Sequence, residues 1–154
     1  MPNEWRRDGY VISTDPGRLD LELVHRFLTQ SYWSPGIPFE TVSRMIAHSL
    51  PFGLYHGQRQ IGFARAITDR ATFAYLADVF VLEEFRGRKL GEWLVQVVVS
   101  HPELQGLRRW VLLTRDAHSL YRKFGFTDIH QPGRYMEIWN PRVYATGAPT
   151  ENPG

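Results

Sequence analysis

The chain contains no cysteine, which excludes disulfides, thiolate-held zinc, iron–sulfur clusters and a cysteine nucleophile, and fits a reducing compartment. Lysine is nearly absent too: of 18 Lys and Arg residues only Lys89 and Lys123 are lysines. Arginine favours bidentate contact with phosphate and carboxylate, so the composition points to a local anion site and away from a general nucleic-acid footprint. Charge of one sign is also scarce. The 18 cations face 16 anions for a net +2, and basic and aromatic residues do not interleave as in a nucleic-acid groove, so no nucleic-acid partner is expected. The most apolar run, Trp93 to Val99, is interrupted by Gln96 and falls far short of the roughly 20 residues of a membrane span. No membrane partner is expected. The segment from Met1 to Arg7 leads into no apolar secretory core, which makes a cytoplasmic protein the expectation. The six histidines show no ligand spacing such as HExxH, so no metal is expected. The Walker pattern and the GxGxxG fingerprint are both missing.

What is present is an ordinary globular composition, 43% hydrophobic and 14% aromatic over 154 residues, the size of one domain with one core. Pro141, Gly147, Pro149, Pro153 and Gly154 mark residues 141–154 as a loose tail with little to bury, leaving residues 1–140 as the domain. Tyr10 to Thr14 reads as a strand, ended by Asp15-Pro16-Gly17. Leu21, Val24, Phe27 and Leu28 recur at helical spacing, predicting a helix up to about Ser31, and a second runs from Pro38 to about Ser49. Leu50–Tyr55, Gln60–Thr68 and Thr72–Leu82 form an antiparallel meander. Leu90, Trp93, Leu94, Val97, Val98 and His101 return to the helical period, with Pro102 as the stop. Arg109–Thr114 is a further strand, and its helical crossover from Thr72–Leu82 predicts parallel, right-handed pairing. Asp116–Phe124 is a short helix ended by Gly125, followed by strands at Phe126–Ile129 and Tyr135–Trp139. The fold class is therefore α/β, with a mixed, mostly antiparallel sheet of about seven strands and about four helices.

The chemistry gathers where the Thr72–Leu82 strand feeds Glu83-Glu84-Phe85-Arg86-Gly87-Arg88-Lys89-Leu90-Gly91 and a helix begins. Unpaired amides at a helix start sum with the helix dipole to attract anions. Arg86, Arg88 and Lys89 oppose that dipole, a conflict that a bound anion resolves.

This segment resembles the acyl-CoA-binding motif of the GNAT-type N-acetyltransferase superfamily, written [QR]xxGx[GA] after a strand of the form VxVxPxxR. Arg86 and Gly91 match its first and last positions, and Lys89 stands where the central glycine is usual. A second motif follows in the family's order: Thr114-Arg115-Asp116-Ala117-His118-Ser119-Leu120-Tyr121-Arg122-Lys123-Phe124-Gly125-Phe126 is similar to NxxAxxLYxxxGF, with Thr114 in the Asn position. The likeness spans about Tyr10 to Trp139 and implies the GNAT fold.

The resemblance implies acetyl-CoA as cosubstrate, its pantetheine arm between the parting strands Thr72–Leu82 and Arg109–Thr114. The arm and thioester would be held by main-chain groups near Phe80 and Val81, and the pyrophosphate by Arg86, Gly87, Arg88, Lys89, Leu90 and Gly91. Thr114, His118 and Tyr121 complete the cofactor set. Tyr121 matches the family tyrosine that protonates the departing thiolate. The positions where relatives place a basic Glu or His fall near Tyr75 and Ala77, neither an evident proton acceptor. Asp78 is the nearest carboxylate, set by strand alternation on the opposite face unless a bulge reorients it; it is either a structural carboxylate or a contact for the acceptor amine or a catalytic water. Trp33, Tyr32 and Phe39 surround the break between the first two helices, which in the superfamily borders the acceptor site; they either line that site, Trp33 with Tyr75 and Asp78, or serve as core lids. The implied activity is acetyl transfer to a primary amine of a small acceptor by direct attack on the thioester. The other reading is an acyl-CoA-binding sensor that has lost turnover. Homodimers are common in the superfamily, although no segment specifies one.

Overall fold

The computed structural model describes residues 2–145. A strand β1 (Glu4–Arg7) turns at Asp8-Gly9 into β2 (Tyr10–Ser13); helices α1 (Leu21–Leu28) and α2 (Phe39–Ala47) follow. The meander is β3 (Leu50–His56), β4 (Arg59–Thr68) and β5 (Phe73–Val81). Helix α3 (Leu90–Val99), strand β6 (Arg109–Val111) and helix α4 (His118–Arg122) complete the order. The six strands form one sheet in chain order, antiparallel throughout except for the parallel β5–β6 pair.

Each face of the sheet has its own core. Val24 and Leu28 of α1 and Val42 and Ile46 of α2 cover Phe63 and Phe80 on one side, at the i, i+4 spacing that a helix needs for a single buried stripe. Trp93, Leu94, Val97 and Val98 of α3 cover Ile12, Phe52, Leu54 and Leu76 on the other. Asp20 caps α1 by accepting from the Leu23 amide at 3.1 Å, one of the orphan donors of a helix start.

The sheet departs from expectation at both ends. An unforeseen β1 pairs with β2 through a hairpin whose Asp8 and Gly9 have φ of 50° and 83°; the Asp-Gly turn is a strong hairpin signal, but Glu4-Trp5-Arg6-Arg7 offers one apolar side chain and no alternation. The expected strands at Phe126–Ile129 and Tyr135–Trp139 do not form, which leaves six strands instead of seven. Both segments keep strand-like composition but find no partner within the described chain. The expected helix Asp116–Phe124 contracts to five residues, and β6 stops at Val111 instead of Thr114. Of the expected tail, residues 141–145 are described and bring Tyr144 against the α1–α2 core; residues 146–154 lie outside the described residues.

Candidate active site

Strands β5 and β6 pair only through Phe73–Arg109, Ala74–Trp110 and Tyr75–Val111. Beyond Tyr75, β5 is paired to β4 alone, and Leu112 to Thr114 have left the sheet. The two strands therefore part into a cleft in which one edge of Leu76–Val81 has no strand partner among the described residues.

That edge leads directly to the start of α3. None of the amides from Gly87 to Glu92 has a protein acceptor among the described residues, and the first helical bond is donated by Trp93 to the Lys89 carbonyl. A Cβ placed on Gly87 or on Gly91 would meet no atom within 4 Å, so the main chain stays approachable. Lys89 is the last residue before the helix and has φ 60°, ψ 22°, with no side-chain cap. Left-handed backbone costs a residue with a Cβ about 1–2 kcal/mol, which accounts for the glycine usual in the motif. The amide remains free and the side chain is exposed. Arg86 and Arg88 are less free than expected: Arg86 Nε donates to the Val81 carbonyl at 3.0 Å, and Arg88 donates to the Tyr10 hydroxyl at 2.8 Å while stacking over Phe85.

On the opposite face, Asp78 sits in a bulge. The register between β4 and β5 slips between Phe63–Phe80 and Arg65–Ala77, adding one residue to β5, and Asp78 takes up φ 57°. The exception to strand alternation is what occurs: the bulge turns Asp78 towards the α1–α2 side, close enough to Tyr75 for its charge to help burial push the Tyr75 phenol upward. There its oxygens are occupied. Trp33 Nε1 donates to one at 2.8 Å and Arg65 Nε to the other at 2.5 Å, while Arg65 also donates to Ser49 Oγ at 3.0 Å. With its side chain only 5% exposed, the carboxylate has to be paired, and both oxygens are.

Residues Thr114, His118 and Tyr121 line one cavity of about 260 Å³. Thr114 Oγ accepts from the Ala117 amide at 3.0 Å and so holds the turn into α4. Burial, with a smaller contribution from Tyr32, pushes the Tyr121 phenol up to about 12, so it keeps its proton at neutral pH. Lys123 of the second motif pairs with Glu92 of α3, tying the two cofactor-motif helices together.

One contributor escaped the sequence reading. Arg65 is a lone charge among buried neighbours on β4, a pattern that by itself signals a buried partner. Tyr32, expected with Trp33 at the break between the first two helices, accepts from the Arg115 amide at 3.2 Å through its hydroxyl, and its ring lies 3.9 Å from the Arg115 guanidinium carbon, joining the α1–α2 loop to the loop before α4. A second cavity of about 520 Å³ is lined by Arg108, Arg109, Trp110 and Val111 and by residues 124–130.

A sheet that splays beside a helix start with free amides is the architecture of an acyltransferase of the GNAT class. Residues 48–128 match the family model described as "Acetyltransferase (GNAT) domain". A Gibberella zeae protein named as an acetyltransferase is 32% identical over 145 residues, covering 79% of this chain and 81% of that protein. A crystal structure from Xanthomonas campestris pv. campestris, assigned to the same family, superposes with a TM-score of 0.87 at 50% identity, covering 89% of this chain and 97% of the other. A Clostridium acetobutylicum structure determined with acetyl-CoA shares the fold at 14% identity, TM-score 0.59, covering 90% and 96% of the two chains. The chain belongs to the GNAT acetyltransferase family.

Members of this family use acetyl-CoA, and the residues here suit it: free amides and open glycines for phosphates, and an unpaired strand edge for an amide-bearing arm. Among the described residues no cluster of His, Cys, Asp or Glu has the makings of a metal site, and no helix is long and apolar enough to cross a membrane.

Proposed function

We propose that the chain transfers acetyl from acetyl-CoA to a primary amine of a small molecule, with residues 1–140 as the catalytic domain. The amides and flanking cations of Arg86 to Gly91 hold the pyrophosphate. The open edge at Phe80 and Val81 pairs with the pantetheine arm and donates to the thioester oxygen as charge develops there, a contribution of about 2.7–4 kcal/mol for one preorganised donor. Thr114 and His118 line the cleft wall beside the arm. The observation that carries this reading is the parting of β5 from β6 along a line that ends at the free amides of α3.

The amine nitrogen bonds to the acyl carbon, the carbon–sulfur bond breaks, and the proton lost by nitrogen balances the one gained by sulfur. Tyr121 serves the sulfur. Against a thiol near 8.5, a phenol held at about 12 gives up its proton over an uphill gap of roughly three to four units, so its main service is a hydrogen bond that strengthens as the thiolate forms. Asp78, fixed by Arg65 and Trp33, orients the acceptor entrance and Tyr75 and is not a free base. A water chain carries the amine's proton away.

The test pairs thermal shift with thiol release. Acetyl-CoA at a hundred times its dissociation constant stabilises by about 2.7 kcal/mol, and CoA does the same; ATP does not. Stabilisation by ATP as strong as by acetyl-CoA defeats the donor assignment. Acetyl-CoA binding with no thiol release from a broad panel of amines leaves the acyl-CoA sensor as the reading.

A further inference from the structure

The helices on one side of the sheet are too short for the strands beneath them. At the rise of a helix, the eight residues of α1 and the nine of α2 extend about 12 and 14 Å, whereas the ten residues of β4 extend about 33 Å. The helical layer ends at Arg65, whose guanidinium is bonded to Ser49 just past α2. Ile67 lies two residues further along β4 and stands opposite Tyr75 in the β4–β5 register, so the two side chains share a face, and Phe73 shares it by strand alternation. Their neighbours Ala66 and Leu76 belong to the core under α3, which puts Ile67, Tyr75 and Phe73 on the α1–α2 side. Ile67 is 41% and Phe73 40% exposed, Tyr75 is half-buried, and neither core includes any of the three.

This apolar shelf begins where the cleft opens, because Tyr75 is the last residue of β5 that pairs with β6. Trp33, 39% exposed, stands at its Asp78 end with the indole held by the 2.8 Å bond from Nε1, and Tyr32 meets that indole edge-on with ring centroids 5.1 Å apart. The charges that act on the Tyr75 phenol are those of Asp78 and Arg65. These two are bonded to each other, and Arg65 gives a second nitrogen to Ser49. A phosphate or carboxylate on the acceptor would have to compete with Asp78 for Arg65. Sugar hydroxyls would find the Tyr75 phenol among carbon surfaces, and a hydroxyl covered without a partner costs binding.

We propose that the acceptor is a primary amine with an apolar, uncharged body, an alkyl or arylalkyl chain that lies on Ile67, Tyr75 and Phe73 while its nitrogen faces the thioester. The inference rests on acetyl transfer as the activity and names the class of acceptor. Selection then comes from carbon contact, since each methylene laid on the shelf takes apolar surface out of water. One buried methylene corresponds to about a three- to fourfold gain in kcat/KM. Tyr75 and Phe73 are two residues apart on one strand, about 7 Å, so the gain ends once the chain passes Phe73.

The full chain is assayed for thiol release from acetyl-CoA with ethylamine, butylamine, hexylamine and phenethylamine, and with β-alanine, O-phosphoethanolamine and glucosamine as the anionic and hydroxylated arms, each at equal concentration of unprotonated amine. The expected kcat/KM rises from ethylamine to hexylamine and stands at least about tenfold above that of the polar amines. Ile67→Glu, at an exposed position, lowers the hexylamine kcat/KM at least about tenfold with melting temperature and acetyl-CoA affinity kept, and Ile67→Leu retains the preference. A rate that does not depend on chain length overturns the proposal, as does thiol release with the anionic or sugar amines in preference to the apolar ones; acetyl transfer itself stands in both cases. Thiol release with none of the amines overturns it together with the transferase reading. A hexylamine kcat/KM that Ile67→Glu leaves unchanged overturns the shelf as the place where the acceptor lies.

Discussion

The two faces of β5 hold charge in opposite ways. Towards α1 and α2, the buried Asp78 is answered on both oxygens by Arg65 and Trp33, and Arg65 in turn by Ser49. At the start of α3, Arg86, Arg88 and Lys89 crowd a helix end that already carries partial positive charge, and the amides beside them have no acceptor among the described residues. The first arrangement is complete in itself and fixes the shape of the strand. The second is the place where the proposed function puts the pyrophosphate. Satisfied charge here is architecture, and the charge left without a counter-ion is what the proposed function assigns to the ligand.

The largest test of this contrast is Arg65→Met, which leaves the Asp78 carboxylate buried with one partner. A stability loss of about 3–5 kcal/mol is expected for breaking such a pair, read by urea denaturation. Asp78→Asn combined with Arg65→Met recovers a good part of it, because the orphaned charge is then gone. If Arg65→Met unfolds at the wild-type midpoint, Asp78 is not held as a paired structural charge.

Tyr121→Phe comes next. The chemical step slows about 10²-fold, the low end for a positioned proton donor, while the melting temperature and acetyl-CoA affinity stay near wild type. With its phenol pushed up to about 12, Tyr121 is not the group that sets any loss of rate below about pH 10. The stability sign follows from the same shift. The unfolded phenol loses its proton near 10 and the folded one near 12, so the contribution is whole below pH 10 and disappears as pH rises through about 12. A rate within twofold of wild type, measured where chemistry limits turnover, leaves Tyr121 as a packing residue.

Gly91→Asp separates the two uses of the α3 start. An acidic side chain in the first turn suits the helix dipole and raises stability by about 0.3–1 kcal/mol, yet it opposes a phosphate and weakens acetyl-CoA by at least about tenfold. A change in melting temperature with unaltered affinity puts the phosphates elsewhere. The smallest effect is that of Lys89→Gly. The exchange of a helical residue for glycine normally costs stability, but Lys89 lies before the helix in left-handed backbone, so the sign reverses: a gain of about 1 kcal/mol with cofactor affinity kept or improved. A measured loss shows that the left-handed conformation is not what Lys89 adopts in solution.

The order of elements, the antiparallel meander, the parallel crossover and both motif segments were legible because each rests on local pattern: alternation, helical spacing, or glycine and proline at a turn. What escaped depends on partners distant in the chain. The Phe126–Ile129 and Tyr135–Trp139 segments have strand composition, but a strand also needs a neighbour, which composition cannot name. At the site, Asp78 was readable as a buried carboxylate in need of pairing. That Arg65 supplies the pair follows from a bulge of one residue, and no periodicity announces a bulge. Lys89 departs visibly from the motif, while its left-handed backbone, which decides the effect of replacing it, is set by the turn into α3 and leaves no mark in the side-chain pattern.

The sheet's strand order has a consequence in time. Neighbouring strands are neighbours in the chain, and β3, β4 and β5 meet across short turns, so these pairings close small loops and form early. Strand β6 reaches β5 only after α3 has been threaded between them, and it is held there by three residue pairs. On that ground it is expected to dock last and to let go first. Amide exchange should therefore report the meander at the free energy of complete unfolding and β6 well below it, which makes the wall of the cleft that carries the second motif the part of the protein that opens most often.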